Sequence, residues 1–297
     1  MNLIDLDHTI LHHINDTAKA LEKVTHSDVI CYFGQIHPHY VQFFRGFVEG
    51  LKSKSTRIEN TISIVLRTSG GSAETTERLV NILRHHYSNV NFIVPDIAMS
   101  AGTIFCMSGD KIFMGYASSL GPIDPQVIEA DGGNYASCLG YLDKVAELSN
   151  KTSLTAADES LLKSVDFAKL TIFEQERDLS IALVKLWLAQ YHLKDWNVHR
   201  TTRAGVPVTI EEKEARAHEI ATELFNYKRL ISHERALGPN KLQEIRLEIH
   251  DYSGDATLKH AIQSYNDLLT AYTDRLGLTF FLHSHLMEAV LCHEKKP

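Results

Sequence analysis

The 297-residue chain has little of what marks most large function classes. Its four cysteines, Cys31, Cys106, Cys138 and Cys292, are scattered and form no Cys-x-x-Cys pair, and three sit in apolar surroundings where a free thiol packs as a small hydrophobe. A reducing compartment fits best. Basic residues are not clustered: 30 lysines and arginines face 37 acidic residues, a net charge of −7, so binding to a phosphate backbone is not expected. No window approaches the roughly 20 apolar residues that span a bilayer; the most apolar late stretch, LGLTFFLHSHLMEAVLC, is short and interrupted by two histidines. The leading MNLIDLDHTILHHINDTAKALEKV carries acidic residues where a signal peptide needs positive charge. A soluble, cytoplasmic protein with neither a nucleic-acid nor a membrane partner is expected.

Cofactor motifs are absent as well. There is no P-loop and no GxGxxG, so no nucleotide cofactor is expected and any energy for unfolding a substrate must come from elsewhere. His12-His13 and His85-His86 are adjacent and His283 and His285 are two apart, which on helices excludes the i, i+4 geometry of HExxH; no metal site is expected.

What the chain does have is concentrated between Thr61 and Gln126. TISIVLRTSGGSAE, NFIVPDIAMSAGTI and DKIFMGYASSLGPIDPQ are three short β-branched runs, each ending in small residues. Each reads as a buried strand delivering a loop to the carboxyl edge of a sheet, where open α/β sheets place their chemistry. Strands are expected at Asp28–Phe33, Ile62–Leu66, Val90–Val94 and Lys111–Met114, alternating with helices at Tyr40–Leu51 and Ala73–Tyr87 and a short buried helix at Ser100–Met107. A long loop follows from Tyr116 to Gly133, and beyond residue 134 helical periodicity dominates in Tyr135–Leu148, Ala156–Tyr191, Ile210–Asn226 and Leu258–Leu291. The expected organisation is an N-terminal helix over residues 1–27, an α/β core over 28–134 and a helical extension over 135–297 that packs on the core and mediates oligomerisation.

Two loops hold parts of an acyl-transfer site. In Ser69-Gly70-Gly71-Ser72 the backbone amides can face a developing oxyanion, although the same residues also make a tight strand-to-helix turn with Ser72 as helix cap. In Ala98-Met99-Ser100-Ala101-Gly102 the small neighbours let the Ser100 hydroxyl stand clear, and a capping serine is the alternative. The α/β-hydrolase elbow fits imperfectly, with Ala98 at its first glycine position.

Taken together, VLRTSGGSAETTERLVNILR, VPDIAMSAGTIFCMSGDKIFMG and SSLGPIDPQ resemble the serine dehydrogenase proteinase group of the Clp-protease/crotonase fold, relatives of signal peptide peptidase A. The strong match runs over about residues 60 to 127, and a weaker one around Ile231-Ser232-His233-Glu234-Arg235 extends toward Tyr252. The resemblance implies an α/β fold with a Clp/crotonase-like parallel-sheet core, a serine endopeptidase with Ser100 as nucleophile, an oxyanion hole from Gly71 and Ala101 with Gly70 beside them, and a homo-oligomer acting on peptide or protein substrates. Ser69 departs from the proline common before the two glycines. The Clp proteolytic subunit carries a histidine about two dozen positions after its serine; this chain has Gly121-Pro122-Ile123-Asp124-Pro125 there. Relatives that use lysine direct attention to Lys144, 44 positions after Ser100, beside the apolar stripe Cys138, Leu142 and Val145; a surface lysine paired with Glu147 or Asp143 is the alternative. His233 is the second candidate base, or a substrate contact, or a buried helix-capping histidine, and Asp124 either orients such a histidine or serves the turn between two prolines. Two other functions share these loops: a crotonase-like acyl-CoA enzyme that uses the oxyanion hole on a thioester enolate, and a scaffold that has lost its base.

Overall fold

The computed structural model describes residues 3–123, 126–128, 135–225 and 236–293, with backbone alone at 3–6, 126–128 and 135–138. Helix α1 (Leu3–Thr25) leads into β1 (Asp28–Gly34), α2 (Val41–Lys54), β2 (Thr61–Arg67), α3 (Ala73–His86) and β3 (Asn89–Val94). Then come β4 (Ile97–Ala98), α4 (Ala101–Met107), β5 (Lys111–Met114), β6 (Ser119–Leu120), β7 (Gln126–Ile128) and β8 (Tyr135–Ser137). The second half holds α5 (Cys138–Ser149), α6 (Ala156–Lys163), α7 (Phe167–Trp187), α8 (Ile210–Phe225), α9 (Pro239–Glu244), β9 (His250–Asp251), α10 (Ala256–Leu276), β10 (Leu278–Ser284) and β11 (Met287–His293).

Seven of these strands form one sheet in the order β11-β10-β1-β2-β3-β5-β9. The run from β1 to β9 is parallel, and the β10–β11 hairpin adds antiparallel to β1. Parallel strands covered on both faces read as continuous apolar runs, and β2 is such a case, buried from Ile62 through Leu66. Its alternate residues serve two layers. Ile62, Ile64 and Leu66 join a core with Phe44, Phe47, Leu79 and Val184, while Val65 joins Ile14, Leu21, Ile262 and Leu269 on the face covered by α1 and α10.

The expected strands and the helices at residues 41–54 and 73–86 are present, and Ser72 caps α3 by accepting from the Thr75 amide at 3.1 Å. The expected helix Leu258–Leu291 is not. Helix α10 stops at Gly277, whose φ of 60° is a left-handed C-cap, and the chain turns back as a hairpin. LTFFL is short and mostly apolar, and pairing with β1 decides it as strand where periodicity cannot. Ala156–Tyr191 divides because Asp166 starts a new helix, accepting from Ala168 and Lys169 at 2.9 and 3.2 Å. Residues past 134 therefore supply both edges of the sheet, β9 on one side and β10–β11 on the other.

The hairpin also buries polar groups. Tyr265 donates to His283 Nδ1 at 2.8 Å, and His283 Nε2 donates to Asn15 Oδ1 at 2.9 Å, which fixes the tautomer between sheet, α1 and α10. His283 is 2% exposed, and that burial lowers its imidazole from 6.5 to about 3. His192, also buried, is lowered for the same reason. In the unfolded chain these imidazoles take a proton near pH 6.5, so below that pH the unfolded state binds more protons than the folded one. Stability is full above about pH 6.5 and falls as pH falls toward 3, by up to about 1.4 kcal/mol per pH unit for His283 alone. Urea unfolding midpoints measured from pH 7.5 to 5 should drop, and His283→Gln should reduce the slope by about one proton; a flat profile for the wild type contradicts the assignment.

Candidate active site

A second, smaller layer of backbone pairing builds the site at the carboxyl edge of the sheet. Ile36 pairs in parallel with Gly71, Thr68 with Ala98, and β4 with β6, while Leu120 pairs antiparallel with Leu237. The strands of the main sheet thus continue past their ends and turn into this layer. Thr68 is its junction: its amide donates to Ile97 O at 3.1 Å and its carbonyl accepts from Met99 at 3.0 Å. Helix α4 packs on that ladder so closely that a Cβ at Gly102 would lie 2.3 Å from Thr68 Cγ2. Thr103 Oγ1 sits within hydrogen-bond distance of Ala98 O and Gly121 O, at 2.9 and 2.8 Å, and locks the helix to both neighbouring strands.

Ser100 stands where β4 turns into α4, with φ 49° and ψ −114°. Serine is costly in that region of backbone space, on the order of 1–3 kcal/mol, and such outliers persist only where their surroundings impose them. The alternative of a helix-capping serine does not hold, because its side chain makes no capping hydrogen bond to α4. The residue is half-buried.

The glycine loop meets it directly. A Cβ at Gly70 would lie 2.9 Å from Ser100 Cβ and 2.9 Å from Met99 O, and Gly70 has φ 110°. Gly71, at φ 148°, has the Ile36 carbonyl against it, where a Cβ would come within 2.0 Å. Ile36 donates to Gly70 O at 2.8 Å and accepts from Ser72 at 3.0 Å, which turns the main-chain groups of Gly71 away from Ile36. Among the described residues, the Gly71 and Ala101 amides have no acceptor. Gly70 differs: its amide already donates to Thr68 Oγ1 at 3.0 Å, so it shapes the turn and has no free donor for an oxyanion.

Ser100, Gly70, Gly71 and Ala101 are therefore brought together, while Lys144 is not joined to them. On α5 its ammonium lies 3.2 Å from both carboxylate oxygens of Glu147, in a pair with both side chains 56% exposed. This solvated pairing is the opposite of the burial that a general-base lysine needs. Asp124 and His233 lie outside the described residues. Thr68, Thr103 and Ile36, which hold the loops in place, were not singled out in the sequence; a lone threonine or isoleucine near a turn carries no local signal. Among the described residues, the one cluster with metal-ligand spacing is His12, His13 and Asp16 on the exposed face of α1, where His12 and Asp16 form a surface pair. No described helix is long and apolar enough to cross a membrane.

Gly71→Ala should cost at least about 2 kcal/mol, since the new methyl meets a backbone carbonyl that no rotamer change can move, at a φ that L residues avoid. Chemical denaturation tests this; a loss below about 0.5 kcal/mol, the range of an ordinary surface change, contradicts the geometry.

Comparison with known proteins bears on the same loops. Two uncharacterised proteins of Methanocaldococcus jannaschii are similar: MJ1495, 29% identical over 115 residues, and MJ0137, 27% identical over 157 residues. These matches take in 39% and 52% of this chain but 36% and 51% of those proteins, so the chain spans about half or less of the curated relatives it matches. Two solved structures of mutants of the 1510-N membrane-bound stomatin-specific protease, one with a substrate peptide, align over 78% of this chain and over 82% and 78% of theirs. Their identities are 15% and 16% and their TM-scores 0.46, too distant for an argument about individual residues. The sequence profile of ClpP-like SDH-type serine proteinases matches residues 51–226, which contain the strained serine, the glycine loop and more than half of the chain, and the chain belongs to that family.

Proposed function

We propose that this protein is an ATP-independent serine endopeptidase that cleaves peptide bonds through an acyl-enzyme on Ser100. The observation that carries the reading is the strained, non-capping Ser100 packed against Gly70 beside two amides that have no acceptor among the described residues. In the proposed reaction Ser100 Oγ attacks the scissile carbonyl as a base takes its proton. The carbonyl oxygen, now negative, lies between the Gly71 and Ala101 amides, each donor being worth about 10²–10³ in kcat in sites of this kind. Collapse expels the amine, which takes the proton, and water then hydrolyses the ester. An acyl-CoA enzyme of the crotonase type needs the two amides but has no use for a strained serine, so the backbone at Ser100 favours the peptidase.

For the base we favour His233 over Lys144. Lys144 is held in a solvated ion pair, whereas the small sheet draws in chain from the second half of the sequence: Ile123 donates to Leu224 O at 3.2 Å, and Leu237 pairs with Leu120 next to Gly121. Asp124 is proposed to orient the histidine. The free buried thiols of Cys31 and Cys106 suit the cytoplasm. We also propose a homo-oligomer, because α6 and α7 leave Leu161, Phe167 and Ile172 at least half exposed. Light scattering at micromolar concentration showing only monomer removes that part.

A fluorophosphonate probe should label Ser100, and Ser100→Ala should abolish labelling and casein cleavage. Lys144→Ala should keep kcat/KM within about 3-fold while His233→Ala lowers it by about 10²-fold or more. The reverse order makes Lys144 the base, and absence of labelling at any pH removes the peptidase reading.

A further inference from the structure

One cavity borders the glycine loop on the side of the sheet covered by α10. It encloses 480 Å³, within the range of ligand clefts, and Phe33, Tyr40, Arg67, Ser69, Thr279 and Phe281 are among the residues that wall it. Ser69 is the link to the site, being the residue before Gly70.

Arg67 gives the cavity its chemistry. Its guanidinium lies over the Phe33 ring, 5.6 Å from the centroid. Its Nη1 donates to Thr270 Oγ1 at 3.3 Å, and its Nε lies 3.7 Å from Asp96 Oδ2, while the side chain stays 30% exposed. The planar cation is thus oriented and its charge already balanced. Asp274 also lines the cavity, so an incoming carboxylate would meet two others close by. An aromatic ring meets none of that opposition: it can stack on the guanidinium plane and pack against the half-buried Tyr40.

We propose that this cavity is a specificity subsite for an aromatic side chain of the peptide substrate. The proposal rests on the peptidase reading of Ser100 and adds what the peptide carries. A chain lying along the main-chain groups of Gly71 that turn away from Ile36 passes the cavity beyond Ser69 within a few residues.

The test uses the full chain and a fluorogenic peptide library in which each position in turn is Phe, Tyr, Trp, Leu, Asp or Ala. The wild type should favour an aromatic residue over alanine about 10-fold at one position. Thr279→Trp, which fills the cavity from an exposed position, and Arg67→Lys, which keeps the charge but loses the plane, should each erase that ratio. Fluorophosphonate labelling of Ser100 reports separately whether the nucleophile is functional. A preference for aspartate, no aromatic preference, or a preference that survives both variants overturns the subsite while the peptidase reading stands. If nothing is cleaved or labelled, titration of Ser100→Ala with a Phe-containing library peptide and its alanine counterpart decides. Binding about 10-fold tighter for Phe, lost on adding Thr279→Trp, supports the cavity as a peptide site without catalysis; equal binding overturns it.

Discussion

The contact between Gly70 and Ser100 is the constraint from which the rest of the site follows. Two loops from neighbouring parallel strands approach so closely that no side chain fits between them, and a Cβ at Gly70 would sit 2.9 Å from that of Ser100. Such proximity is possible only because the small second layer of backbone pairing aims both loops at one place. The ladder from Ile36 through Gly71, Thr68, Ala98 and Leu120 to Leu237 holds the loops by main-chain hydrogen bonds, which side-chain motion does not disturb.

The strain at Ser100 is sustained by its surroundings. Helix α4 is buried at every residue from Ala101 to Met107, so the turn into it cannot relax by shifting the helix outward. Thr68 and Thr103 pin both ends of that turn to adjacent strands. Burial of the helix thus stabilises what the backbone torsion opposes, and the hydroxyl is left outside the helix's own hydrogen bonding. Among the described residues, the same layer leaves the Gly71 and Ala101 amides without acceptors, donors that a ligand's oxygen can satisfy.

Much of this was legible in the residues. Continuous apolar runs ending in small residues marked β2 and β3, because strands buried on both faces need apolar residues on both. Ser100 and Gly71 stood out because small residues at strand ends mark loops where backbone and hydroxyl groups can serve a site. The hairpin of residues 278–293 was not legible. LTFFL suits a buried helix as well as a buried strand, and its partner β1 lies some 250 residues earlier. Lys144 illustrates the same limit from the other direction: its spacing from Ser100 drew attention, yet local sequence does not report solvent exposure, and the ion pair with Glu147 is a property of the folded surface.

Local chemistry in the sequence determined the element types of the core, the capping of α3 by Ser72 and the nature of the groups at the sheet edge. Those properties depend on residues a few positions apart. Tertiary structure alone decided that Gly70 touches Ser100, that the Gly70 amide is taken by Thr68, that Lys144 faces water, and that Arg67 stands beside a cavity. Each of these is a distance between segments far apart in the chain, and such distances follow from how the strands pair and the helices pack over them.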